Sequence, residues 1–242
     1  MEDGMGYGDR IQVKHEALLT DYTHQSVKVN LARMKIEMEL GHNFCVSALA
    51  DIPSFRRHMH MSKPLYILPQ PKIFMRQETH FKMGKPDSIS IKRLADNSDY
   101  RMGIIRGTTY LPIQVEDYLK NNHTAVVSGS SPIISILKMV DLGRIDWAAD
   151  YPHIIQWGAL SGDIKIESVF TMVEIKELED SEILRSGVAC TKNTWGQKII
   201  NQLNDKIKED AILDIRNWVS KWMPPGDVKE EFFRLNKREF GY

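Results

Sequence analysis

Three short stretches of the 242-residue chain assemble the residue types that grip a small charged molecule. The first is Gly103-Ile104-Ile105-Arg106-Gly107-Thr108-Thr109-Tyr110, an apolar run followed by a glycine and two hydroxyls. Where a strand gives way to a helix, such a turn offers backbone N–H groups, hydroxyl donors and the positive helix end to a carboxylate or phosphate. A threonine in this place could equally cap its own helix. The second stretch is Pro53-Ser54-Phe55-Arg56-Arg57-His58-Met59-His60-Met61-Ser62-Lys63-Pro64. An arginine beyond a strand end can clamp a carboxylate through two parallel hydrogen bonds, which lysine cannot imitate, although two adjacent arginines also suit a solvated face. The third is Gly143-Arg144-Ile145-Asp146-Trp147-Ala148-Ala149-Asp150-Tyr151-Pro152. Asp150, with Tyr151 beside it, stands where a short strand exits, and either accepts from a ligand ammonium or caps the helix beginning near His153.

Residues for covalent or acid–base chemistry are not grouped in the same way. No Ser-His-Asp or Cys-His set has support in the sequence, and Cys45 falls in an apolar run where a thiol is inert packing. His58 and His60 stand two apart, which on a strand puts both imidazoles on one face. With no clear carboxylate or cysteine partner, they read as surface histidines and no metal is expected. The turn Ser128-Gly129-Ser130-Ser131 lacks the lysine and spacing of a phosphate loop and reads as a helix entrance. A binding protein without cofactor, and not an enzyme, is therefore the expectation.

Bulk composition narrows the partners. Lys plus Arg and Asp plus Glu number 32 each, so no net field favours nucleic acid or an anionic membrane surface. Apolar residues at 42% and charged residues at 26% are those of an ordinary globular protein. Two cysteines, Cys45 and Cys190, exclude a disulfide scaffold and a four-cysteine zinc site; one disulfide is possible, and two buried free thiols are the favoured reading. No apolar run is long enough to span a membrane, and the start MEDGMGYGDR lacks the regions of a secretory signal.

The elements that would position the three stretches follow from periodicity. Helices are expected over Asp9 to Tyr22, Leu31 to Leu40, Leu111 to Asn121, Pro132 to Leu142, His153 to Ala159 and Thr194 to Ile207. Two more lie in Ala211 to Phe240, separated by Pro224, Pro225 and Gly226. Strands are expected over Val27 to Asn30, Phe44 to Leu49, Tyr100 to Ile105, Ala125 to Val127, Asp146 to Ala149, Val169 to Ile175 and Gly187 to Thr191. The apolar run Leu65 to Met75 is interrupted by Pro69 and Pro71, which puts it at an edge, bent, or crossing between lobes. The polar stretch Gln77 to Ser88 is the best internal boundary. Strands alternating with helices imply an α/β protein, with sheets largely parallel and covered on both faces.

In this order, Arg56 or Arg57 before Ser62-Lys63-Pro64, the turn Arg106 to Thr109, and Gly143 to Pro152 resemble family-3 periplasmic solute-binding proteins. These are the polar amino-acid receptors of ABC importers. Val188-Ala189-Cys190-Thr191-Lys192-Asn193-Thr194-Trp195-Gly196 looks like their returning hinge strand and the helix after it. The resemblance covers nearly the whole chain, in a divergent branch, and implies a two-lobed type II periplasmic-binding-protein-like fold, each lobe a mostly parallel sheet flanked by helices. Residues 1–86 and 188–242 would form lobe one and residues 87–187 lobe two, closing by a hinge near Phe74 and Ala189 on an amino acid or organic acid. Arg56 or Arg57 would hold the ligand carboxylate together with Gly107, Thr108 and Thr109, while Asp150, beside Tyr151, would meet its amino group. Family members begin with a strand ahead of the segment matching Gly4 to Asp9, and this chain lacks it, which would expose a sheet edge unless a second copy supplies the strand. A periplasmic location and an ABC permease partner are implied. Alternatives are the input domain of a signalling system and an oligomeric protein with a vestigial cleft.

Overall fold

The computed structural model describes residues 6–113, 115–129, 131–164, 170–179, 181 and 183–241. Gly4, Ser130 and Val169, which the sequence reading used, lie outside the described residues. The chain divides into two compact units: Met1–Val29, Arg33–Pro69 and Ile183–Tyr242 form unit 1, while Asn30–Ala32 and Gln70–Glu182 form unit 2.

Unit 1 is built on a four-stranded sheet of β1 (Cys45–Ala50), β2 (Met59–Met61), β3 (Tyr66–Leu68) and β10 (Leu184–Thr191). β10 pairs antiparallel with β1 along one edge, and along the other with β2 and then β3. The expected mostly parallel sheet is not found in this unit. β1, β2 and β3 do run in a common direction, as a β-α-β rhythm requires, but the returning β10 is inserted among them and runs the opposite way. Gly187 allows the close approach: a Cβ there would stand 2.6 Å from Ser62 Oγ, the oxygen that accepts from the Val188 N–H at 3.0 Å. Ser62 and Lys63 thus span the interval between β2 and β3, with the Lys63 ammonium donating to the Ile207 carbonyl.

Around this sheet pack α1 (Tyr7–Leu18), α3 (Pro53–Arg56), and three C-terminal helices, which we number α8 (Thr194–Lys206), α9 (Glu209–Ser220) and α10 (Asp227–Phe240), while α2 (Leu31–Leu40) starts in unit 2 and continues in unit 1 from Arg33. Asn193 caps α8 by accepting from the Gly196 N–H at 2.9 Å. Ile199, Ile200 and Leu203 recur at helical spacing and are buried with Ile215, Val219, Leu65 and Ile67. Val27 to Asn30 forms no strand, and Val27 and Val29 are exposed. An alternating pattern makes a strand only where a neighbour is available to pair with it.

The buried Asn236 of α10 closes the edge of β3: its side-chain oxygen accepts from the Ile67 N–H, and its amide donates to the Ile67 carbonyl, both at 2.9 Å. Asn236→Ala is expected to strand both Ile67 groups in an apolar interior and to lower stability by roughly 2–6 kcal/mol, counting about 1–3 kcal/mol for each orphaned group. Urea denaturation of the variant checks it; a loss below about 0.5 kcal/mol would show that the edge is satisfied in another way.

Unit 2 holds a six-stranded sheet, in the order β5 (Ser88–Ile89), β9 (Phe170–Ile175), β4 (Lys72–Arg76), β8 (Trp147–Asp150), β6 (Met102–Ile105) and β7 (Thr124–Val127). β6 runs parallel to β7 and β8, and β5 to β9, while β4 is antiparallel to both its neighbours. The Leu65 to Met75 run is therefore two strands in two sheets, with Pro69 and Pro71 between them where no ladder bond is needed. Because β4 pairs through its whole length within the second sheet, the units divide at Pro69 and at Glu182, whereas the resemblance implied 86 and 187.

One face of this sheet carries Ile73, Met75, Met102, Ile104, Trp147, Val173 and Ile175, covered in part by α5 (Ile91–Ala95) and a 3-10 turn at Val115–Tyr118. The helix expected over Leu111 to Asn121 is reduced to that turn, since Pro112, Ile113, Val115 and Asp117 are weak helix formers. The other face carries Phe74, Ala148 and Phe170, covered by α6 (Pro132–Asp141) and α7 (Pro152–Gly162). The short α4 (Gln77–Lys82) follows β4. Among the described residues, no helix is long and apolar enough to cross a membrane.

Candidate binding site on unit 2

The parallel strands β6, β7 and β8 end on one edge of the sheet, at Ile105, Val127 and Asp150. Ligands in α/β sheets bind at such carboxyl ends, where the backbone turns toward helix N-termini. Beyond β6 the chain bends at Gly107, whose φ of +93° favours glycine, and the Thr108 N–H donates to the Ile105 carbonyl at 3.1 Å. A Cβ at Gly107 would meet the Ala32 nitrogen at 3.0 Å, so the turn also needs glycine for space. Thr108 is buried and Thr109 half-buried. Beyond β8, Asp150 is 3% exposed and its Oδ1 accepts from the Tyr151 N–H at 2.7 Å. Tyr151 is the residue before α7, with Pro152 at the first helical position.

Tyr110 joins the two strand ends. Its hydroxyl is hydrogen-bonded with the side chains of Asp150 and Thr108, and its ring lies 4.7 Å from that of Tyr151. Tyr151 in turn stacks on His153 at 5.7 Å. Burial is the main cause that raises the Asp150 carboxyl to about 7, against the bonds from Tyr110 and the Tyr151 N–H. Burial also lowers His153 to about 3 and, with Asp150, holds the Tyr110 hydroxyl well above its usual range. The buried Thr108, Asp150, Tyr151 and His153 therefore form one polar cluster with the half-buried Tyr110.

No protein-family profile matches the chain, and no curated protein matches it. Solved structures do match. An ancestral arginine-binding protein bound to arginine aligns at a TM-score of 0.61 and 15% identity, over 93% of this chain and 91% of that one. The GluR0 ligand-binding core from Nostoc punctiforme, in complex with L-glutamate, aligns at 0.60 and 14%, over 93% and 94%. A histidine kinase sensor domain described as similar to periplasmic binding proteins aligns at 0.59 and 11%, over 100% and 89%. The chain has the type II periplasmic-binding-protein-like fold.

Within this periplasmic-binding-protein-like fold, the expected site residues fall into two groups. Gly107, Thr108, Thr109, Asp150 and Tyr151 lie together on unit 2, at the ends of β6 and β8. Arg56 and Arg57 belong to unit 1, at the end of α3. Arg56 forks onto Asp51, Nε to Oδ1 at 2.5 Å and Nη2 to Oδ2 at 3.1 Å, and Arg57 is exposed. His58 and His60 join no metal cluster among the described residues.

Three residues of this edge escaped the sequence reading: Tyr110, His153 and Lys72. Tyr110 ends the motif that supplied Gly107 to Thr109, and a tyrosine whose polar tip must be satisfied when buried was the available signal. Lys72 stands first in β4, opposite Asp150 in β8 and opposite Glu174 in β9. Directly opposed residues of antiparallel strands project to the same face. Its ammonium is paired with Glu174, and the residue is 5% exposed. A lysine inside an apolar run signals a functional or paired cation, but its neighbours depend on pairings remote in sequence.

Proposed function

We propose that the protein is a small-molecule binding module that captures an amino acid or a similar small carboxylate, and that its anchors include Gly107, Thr108, Thr109, Asp150 and Tyr151. The observation that carries this reading is the polar cluster at the carboxyl ends of β6 and β8, beside the positive-φ turn at Gly107. The Cys45–Cys190 disulfide supports an extracytoplasmic, oxidising compartment. Solved proteins of this fold serve arginine binding, glutamate binding and kinase sensing, so both capture for an ABC permease and sensory input agree with the fold.

Thermal denaturation with a panel of amino acids and organic acids tests the reading. A ligand at about 100 times its Kd is expected to stabilise by roughly 2.7 kcal/mol, which raises Tm by several degrees. A well-folded protein whose melting no member of the panel shifts would sink the proposal. Given a hit, Thr108→Val should weaken binding by roughly ten-fold, the cost of one hydrogen bond to a charged group. Unaltered affinity in that variant would remove the turn from the site.

A further inference from the structure

Lys72 has no role in the expected site, yet it occupies the same strand-end edge. It is 5% exposed, stands directly opposite Asp150, and shares a sheet face with it. Glu174, its ion-pair partner on the other side, has a side chain that is 50% exposed. The row Glu174, Lys72, Asp150 therefore runs across the sheet from solvent to interior. Taking an ammonium out of water is costly unless anionic or polar groups compensate it. Asp150, fixed by Tyr110 and by the Tyr151 N–H, is the inner neighbour in that row. Arg56, by contrast, is already forked onto Asp51.

Resting on the binding reading above, we propose that Lys72 is the cation that anchors the ligand carboxylate, with Glu174 as the exposed group that the ligand displaces or shares. The ligand's carboxylate lies between the Lys72 ammonium and the Gly107–Thr108 turn. Lys72 is thus a specificity-determining residue that demands an anionic group of the ligand. Arg56 and Arg57 are then dispensable for anchoring.

Binding of L-glutamate, L-leucine, succinate and 2-oxoglutarate, and of the methyl esters of each, to the full chain is measured by calorimetry and thermal shift. The expected result is that acids bind and fully esterified forms do not, that Lys72→Met weakens the acid by at least about ten-fold, and that the Arg56→Met, Arg57→Met double variant binds as the unaltered chain does. Glu174→Gln, at an exposed position, is expected to tighten binding several-fold because it removes the competing carboxylate. Equal binding of acid and ester, or by Lys72→Met and the unaltered chain, overturns the assignment. Should Lys72→Met not fold, Glu174→Gln decides, and unchanged affinity there overturns it. If no acid binds the unaltered chain, the binding reading itself has failed, which is a distinct result from acids that bind without Lys72.

Discussion

Replacing Cys190 by alanine should lower the stability of unit 1 by roughly 5 kcal/mol. Cys45 and Cys190 stand opposite each other on β1 and β10, and their sulfur atoms are bonded across a sequence separation of 145. The expectation of two buried free thiols is thereby corrected: β10 returns to lie beside β1, and the two residues fall in register. On the chain-entropy account, a crosslink closing so long a loop removes on the order of 5 kcal/mol of freedom from the unfolded chain. Cys190 is fully buried, so truncation also loses packing. Unit 2 contains no cysteine, and Gln70–Glu182 lie within the closed loop, so the full effect is expected where both units unfold. Calorimetry with and without a reductant, followed by the alanine variant, reads both effects. If neither moves the melting of unit 1, the crosslink contributes nothing to its stability.

Acidification is the second large effect, and its sign follows from three buried groups. His15 of α1 is 5% exposed, neither ring nitrogen has a hydrogen-bond partner among the described residues, and burial foremost, then Lys14, lowers it from 6.5 to about 4. His153 is lowered by burial from 6.5 to about 3. A lowered histidine contributes stability that is present above pH 6.5 and is lost as pH falls through the folded value, because the unfolded chain takes the proton first. For His15 alone this is on the order of 3 kcal/mol. Asp150 acts oppositely. Raised from 3.8 to about 7, it contributes stability below its unfolded value that is lost as pH rises through 7. Between roughly pH 6 and 4, therefore, the two histidines outweigh the one carboxyl, and stability should fall by about 1.4 kcal/mol per pH unit. Asp150→Asn removes the opposing group and should roughly double that slope, whereas His15→Gln should flatten it. Urea titrations at half-unit steps of pH give the slopes directly; a flat profile would mean that only one histidine is held neutral, and a stability that rises on acidification would mean that neither is.

Much of unit 2 was legible in the sequence because its information is local. Pro132 to Leu142 and Trp147 to Ala149 have unambiguous periods, and the turn after Ile105 announces itself through Arg106-Gly107-Thr108-Thr109. What escaped was set by pairing between distant segments. Nothing near Cys45 says that Cys190 lies opposite, and nothing near Lys72 says that Asp150 and Glu174 flank it. The direction of unit 1's sheet was lost for the same reason, since β10 belongs to the far end of the chain. Arg56 differs: its spacing from Ser62 was visible, whereas its fork onto Asp51 depends on the short turn of α3.

β10 also sets a timetable for synthesis. Every strand pairing described in the sheet of unit 1 passes through Leu184–Thr191, so β1, β2 and β3 leave the ribosome with no strand to pair with. All of unit 2's sheet is made before β10 emerges, and can close first. At roughly 5–20 residues per second, the earlier strands wait on the order of ten seconds. During that interval Cys45 is an unpaired thiol on an unpaired strand, the moment at which a holding chaperone or a secretion apparatus would find this chain still open.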